Sequence, residues 1–331
     1  MRRVFSGLVV LVFLLFTACK SKEKFQIAYG GSACGSPISI AYLNGYYADE
    51  GLDIELVSGV SFETIRSYLA AGKMPVINGD FQFFPAVYNG IDVKLISGLH
   101  EGCIKILVPN DSDIKTVADL RGKRIIVDEI GGTPMSVASV AVGDAGIDPQ
   151  KEITWLPFPS DQEIQALEKG EGDVVALWDP FATEAEQTGK YRTLIDIATD
   201  PLFAGRNCCF LFASGKLVKE RPDVVAKTLR AISRAVEYEG KYPDESAKKL
   251  IEAKKVSTDN EKLLATLLSS FHYEHHYTQE HNAKAKDDAV YFAQKIKETG
   301  YLPQDIDVQE FVDNMYVDIF ALEAEAKNKT Q

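Results

Sequence analysis

Short β-rich runs alternate with helical patterns along the chain from Phe25, and that alternation restricts the fold more than any other feature. The order is FQIAYG, a helix through Ile40, Leu43 and Tyr47, LDIELVSG, SFETIRSYLAAG, PVING, a short helix and DVKLISGL. Strand, helix and strand at this spacing predict parallel strands covered on both faces, because a parallel crossover needs a helix to carry the chain back. A second set follows in RIIVDE, a helix from Pro134 to Asp144, ITWLPF, EIQALEKG, VVALWD, FATEAEQTG and YRTLIDI. The expected fold class is α/β, with two doubly wound lobes side by side. IKILVPN (Ile104 to Asn110) and CCFLFAS (Cys208 to Ser214) are apolar strands with no helix directly after them, and they read as two crossing strands between the lobes. Lobe 1 is then expected over 25–108 and lobe 2 over 109–208. Residues 209–331 return to lobe 1 as a helical C-terminal extension, where Val225, Leu229, Ile232 and Val236 mark one packed helix face.

Arg2 and Arg3, the apolar run Leu8 to Phe16, and the small residues Thr17 and Ala18 before Cys19 form an export signal over residues 1–18. That run is about half the ~20 residues a membrane-spanning helix needs. A thiol directly after the small residues resembles the lipobox of bacterial lipoproteins, which implies acylation of Cys19, a polar stalk over 19–24 and a mature chain facing outward from a membrane, on its periplasmic or extracellular side. With 46% hydrophobic and 25% charged residues the full chain has the composition of a globular protein. The full chain's net charge of -12 and the lack of a basic stripe argue against nucleic acid and against electrostatic binding to anionic lipid. A monomer that meets small molecules or other proteins is expected.

Within this pattern, GYYADEGLDIELV, LAAGK, DLRGKRIIV, GIDP and ALEKGEGDVVALWDPFA resemble the motifs of the NMT1-like family, the ABC-transporter substrate-binding proteins for nitrate, sulfonate, taurine and thiamine precursors. The resemblance covers Phe25 to Ser214 and, more weakly, the helical tail. It implies a type II periplasmic-binding fold whose two lobes close on a small solute and hand it to an ABC permease, without catalysis. The same fold hosts a thiamine-pyrimidine synthase marked by a CCCFC segment, and CCFLF at Cys208 to Phe212 resembles a shortened form of it. Those enzymes carry a cofactor-binding lysine and a consumed histidine after the third strand. Val76 to Gly90 contains neither residue type, and no G-x-S-x-G, H-E-x-x-H or phosphate loop is present, so a receptor is the preferred reading.

Four loops are expected to converge on the cleft. GGSACGSP offers Ser32, Ser36 and free amides at a helix start; NGDFQ offers Asn78, Asp80 and Phe81; GGTPMS opens a helix at Thr133 and Pro134; WDPF offers Asp179 and Phe181. Ordinary turn and cap chemistry explains each of them taken singly. Lys105 shares a strand face with Cys103, and Asn207 precedes the cysteine pair. Arg206 is suited to clamp a carboxylate or sulfonate by a two-pronged contact, with a surface salt bridge as the plain alternative.

The cysteines are less ordinary than the loops. Cys34, Cys103, Cys208 and Cys209 all fall in segments assigned to the cleft. Four sulfurs suit a soft metal ion or an iron–sulfur cluster, although C-x-x-C spacing is missing; disulfides and buried free thiols remain open beside that reading. No cofactor is fixed by the sequence, and the solute is read as a small molecule or a metal-containing species. A second cluster, FHYEHHYTQEH, holds His272, His275, His276 and His281. A partly solvated helix junction is the plainer account of it than zinc.

Overall fold

A computed structural model describes residues 23–60, 62–271, 273 and 278–328; the leader with Cys19, and His272, His275 and His276, lie outside them. The strands are β1 (Lys24–Ala28), β2 (Asp53–Val57), β3 (Val76–Asp80), β4 (Val93–His100), β5 (Ile104–Pro109), β6 (Arg124–Val127), β7 (Thr154–Pro157), β8 (Val174–Trp178), β9 (Tyr191–Asp196) and β10 (Cys209–Ser214). One lobe holds the pair β1–β2 and the sheet β3–β10–β4, and the other holds β7–β6–β8–β5–β9. No helix among the described residues is long and apolar enough to cross a membrane.

Parallel pairing holds for β1 with β2 and for β6 with β7 and β8. The strands that follow the crossings run the other way: β10 is antiparallel to β3 and β4, and β5 to β8 and β9. The reason is directional. Helix-connected parallel strands end at the gap between lobes, so a chain arriving from the other lobe enters its sheet at that end and must run against them.

The passage between lobes also falls earlier than the sequence pattern places it. Because β5 bonds into the five-stranded sheet, residues 104–108 belong to the second lobe, and the first crossing is residues 101–103. The second crossing spans 197–208. The two meet where Gly102, at φ +60°, leaves room for Ala198: a Cβ on Gly102 would stand 2.5 Å from that of Ala198. A helix, Gly215–Glu220, does follow β10 directly; the Ser214 hydroxyl caps it by accepting the Leu217 N–H at 3.4 Å. The helix expected through Tyr47 is two, Ser36–Leu43 and Tyr46–Asp49, separated at Gly45 with φ +76°.

The long helix Pro222–Lys241 buries the stripe Val225, Leu229, Ile232 and Val236 against helix Ser36–Leu43. Helix Gln279–Glu298 does more than complete the first lobe. It packs on β4 and on helix Thr133–Asp144 of the second lobe, where Lys295 pairs with Asp144 at 2.7 Å. Its Phe292 stacks on Phe81 with ring centroids 4.5 Å apart, tying the loop after β3 to the helical layer.

Candidate functional site

The ends of β4 and β10 and the loop after β1 build one buried polar cluster. β10 begins with Cys209 paired in register with Asp80 on β3 and with His100 on β4. Cys34 enters from the loop before helix Ser36–Leu43, and Cys103 from the first crossing. The ligand atoms of Cys34, His100, Cys103 and Cys209 lie within 4.8 Å of one another, and all four residues are buried. Cys103 Sγ stands 3.8 Å from Cys209 Sγ and 4.0 Å from Cys208 Sγ, far beyond a bonded pair, and the four thiols are free. The sequence reading leaves His100 outside the ligand set; the structure puts it in the cluster, with Cys208 beside its Nδ1 at 4.0 Å.

The turn carrying the cysteine pair is held from behind. Gly98 has no side chain, which admits Asn207: a Cβ there would come within 2.3 Å of Asn207 Oδ1. The Asn207 backbone and side-chain N–H groups donate to Asp288 Oδ2 at 2.8 and 2.9 Å, and Lys284 bridges Asp288 and Glu101 at 2.9 and 3.2 Å.

Electrostatically the cluster is polarised. Hydrogen bonds from the Cys103 and Cys209 thiols, aided by His100, hold the Cys34 thiol well below its ordinary value, while the neighbouring Cys208 and Cys209 thiols push Cys103 up. Burial opposes a charge on His100, but Cys34 and Cys208 outweigh it and raise its pKa. Buried Glu239 lies alongside; it accepts the Ser36 hydroxyl at 2.9 Å and is pushed well above the usual carboxylate range by desolvation. The Tyr273 hydroxyl donates to the Cys34 carbonyl at 3.1 Å.

Beside the cluster a cleft of about 390 Å³ opens between the lobes. Ser32, Cys34, Asn78, Cys103, Thr133 and Cys209 line it, six positions of the sequence reading. Tyr29, Gln82, Asp128, Trp178 and Lys255 add polar and aromatic groups to its wall. Trp178 Nε1 donates to Asp128 Oδ2 at 3.3 Å, and burial pushes Asp128 up to about 6. Lys255 reaches the cleft from 226 residues beyond Tyr29, whose hydroxyl it bonds at 3.0 Å. No local pattern announces that partnership.

The other expected positions are engaged elsewhere. Ser36 turns to Glu239, Phe81 to Phe292, and Phe181 packs edge-on to Trp178 at 4.9 Å between centroids. Lys105 is ion-paired with Glu186 and donates to Thr183 at 3.1 Å, while Asp179 accepts the Thr183 N–H at 3.0 Å. Asp80 is buried beneath the cleft, accepts the Gln82 N–H at 2.5 Å and is pushed up to about 7 by desolvation. Pro134 is buried in the first turn of its helix. Arg206 lies over the Tyr291 ring at 3.9 Å, away from the cleft, because helix Gln279–Glu298 offers that aromatic face beside the turn.

The family model for NMT1/THI5-like proteins matches residues 35–246. The chain belongs to the NMT1/THI5-like family. It is 25% identical over 332 residues to a putative aliphatic sulfonates-binding protein of Bacillus subtilis, covering 94% of this chain and 95% of that one. A more distant relative, 24% identical over 246 residues and 68% of this chain, is 4-amino-5-hydroxymethyl-2-methylpyrimidine phosphate synthase of Candida albicans. Among solved structures, the alkanesulfonate-binding protein SsuA from Xanthomonas axonopodis pv. citri bound to MOPS superposes with a TM-score of 0.73 at 19% identity, covering 90% of this chain and 99% of that one. The fold is the periplasmic-binding fold of these proteins.

Proposed function

We propose that the protein is the solute receptor of an ABC-type importer, anchored through an acylated Cys19 and facing outward from a membrane, with a small nitrate-, sulfonate-, taurine- or thiamine-precursor-like molecule as its solute. The observation that carries this reading is the cleft of about 390 Å³ at the junction of two lobes, with polar and aromatic groups from both. Its volume fits a small organic solute. Thr133 places the start of a twelve-residue helix at the wall, where free N–H groups favour an anionic end, and Asn78, Gln82 and Lys255 add donors from the other side. Trp178 and Tyr29 supply apolar faces for the rest of the molecule.

A solute that touches both walls binds the closed arrangement more tightly than an open one, and that difference drives closure. The relatives that match nearly the whole chain support capture over catalysis, and Val76 to Gly90 lacks the lysine and histidine that a pyrimidine synthase of this fold uses. Calorimetric titration with an alkanesulfonate, taurine, nitrate and an aminopyrimidine tests the proposal. Saturable binding of one of them, with compaction in solution scattering, is expected; binding of none, or conversion of one to product, overturns it.

A further inference from the structure

We infer that Cys34, His100, Cys103 and Cys209 form a binding site for one thiophilic, tetrahedrally coordinated metal ion at the floor of the cleft, with three sulfurs and one imidazole nitrogen as donors. This site stands apart from the transport proposal, because ion binding is read on the isolated chain whether or not a permease or an organic solute exists.

Two independent observations carry it. The first is spacing. Four donors around a zinc-like ion with bonds of about 2.3 Å stand roughly 3.8 Å from one another. Cys103 and Cys209 already stand at 3.8 Å, and all four ligand atoms fall within 4.8 Å of each other. They come from three stretches far apart in the chain, the loop at Cys34, the run from His100 to Cys103 and the start of β10 at Cys209, so chain locality does not explain their meeting. Buried free thiols that serve only as small apolar side chains have no reason to crowd around a histidine.

The second observation is His100 itself. Its Nδ1 faces the Glu101 backbone carbonyl at 3.2 Å, while Nε2 is buried without a hydrogen-bond partner. A backbone carbonyl on one ring nitrogen fixes the tautomer and leaves the lone pair of the other for a metal, the arrangement that supports histidine ligands in general. An unpartnered buried nitrogen otherwise bears the full cost of its lost hydration. An ion in the cluster removes that cost.

The chemistry balances without an oxidant. Three protons leave to solvent as the ion binds, one each from Cys103 and Cys209 and the one that Cys34 and His100 hold between them, so that three thiolates and a neutral imidazole face the metal and the metal keeps its oxidation state. Three thiolates around a dication leave one net negative charge. Cys34, Cys103 and Cys209 also border the cleft, which gives the ion its path of entry. Sulfur-rich donors select zinc-like ions over magnesium or calcium, which take oxygen ligands. Cys208 stands just outside the set, within 4.0 Å of Cys103 but not among the four mutually close donors.

The test is titration of the purified, reduced and chelator-stripped chain with Co²⁺, followed by displacement with Zn²⁺. One cobalt per chain is expected, with sulfur-to-cobalt charge-transfer absorption and tetrahedral visible bands. Cys34→Ser and Cys209→Ser should each weaken binding by at least about 10-fold, and Cys208→Ser by less than about 3-fold. X-ray absorption on the zinc-loaded wild-type chain counts the donors without any substitution, so a variant that fails to fold does not decide the question. Three sulfurs and one nitrogen support the site. Four sulfurs, no stoichiometric cobalt binding, or a Cys208→Ser loss as large as that of Cys209→Ser overturns it.

Discussion

The backbone N–H of Ala33, in the loop after β1, donates across the cleft to the carbonyl of Asp179 at the end of β8, 3.0 Å away. This bond joins the two lobes directly, next to Cys34 on one side and Trp178 on the other. A second tie lies nearby, where the Thr258 hydroxyl donates to Glu184 Oε1 at 2.5 Å. These two bonds tie the lobes across the cleft, in addition to the Lys295–Asp144 pair and the packing of helix Gln279–Glu298 on helix Thr133–Asp144.

Thr258→Ala removes the second tie and leaves the Ala33 bond in place. A hydrogen bond of this kind contributes about 1 kcal/mol, which is roughly a fivefold change in the balance between closed and open lobes. The variant should show a larger radius in solution scattering and several-fold weaker solute binding with an unchanged melting temperature. An unchanged radius and affinity would mean that this contact does not bear on closure.

Glu163 tests the burial of charge in the second lobe. Both of its carboxyl oxygens are buried without a partner, and desolvation together with Asp128 pushes its pKa up to about 9. The folded chain therefore keeps a proton that the unfolded chain releases above about 4.3. Its contribution to stability is intact below that value and is lost as pH rises toward 9, by up to about 1.4 kcal/mol per pH unit. Glu163→Gln stays neutral at every pH. Thermal melts should give equal stability near pH 4.5 and a variant more stable by several degrees at pH 8.5; a difference that does not change with pH would refute the account.

Gly98 is predicted to be intolerant of a side chain. The added methyl of Gly98→Ala would press on Asn207 and pull it from Asp288, costing about 1–3 kcal/mol from overpacking alone. The urea midpoint should fall while the slope of the transition stays the same. A wild-type midpoint would show that the turn before β10 gives way freely.

Cys19 lies outside the described residues, and its role is read from the leader. Cys19→Ala should move the exported chain from the detergent phase to the aqueous phase in phase separation, since the acyl chains supply the membrane affinity. Equal partition of both forms would dismiss the anchor.

The alternation of strands and helices was legible because side-chain period and turn residues are local properties, so most elements fall where the pattern puts them. Strand direction after each crossing was not, since it depends on which lobe the chain has come from. Cys34, Cys103 and Cys209 could be brought to one cleft by placing each at a strand end. His100 could not be added to them, because its approach depends on the β4–β10 register, which shifts twice along that pair. Lys255 and Thr258 arrive from the helical extension, and Arg206 is drawn to Tyr291 by a helix more than eighty residues on; such partners are set by packing between distant segments, which no window of sequence displays.

In the proposed closure the two crossings, close together at Gly102 and Ala198, are the pivot of the lobes; Cys103 lies within one crossing and Cys209 directly follows the other. When one body turns about another, each atom travels in proportion to its distance from the pivot. Groups at the rim of the jaws sweep far, while those at the sulfur cluster hardly move. Whatever occupies that cluster therefore acts through a short lever arm: it alters how stiffly the joint turns, and leaves the width of the mouth to the solute gripped between the rims.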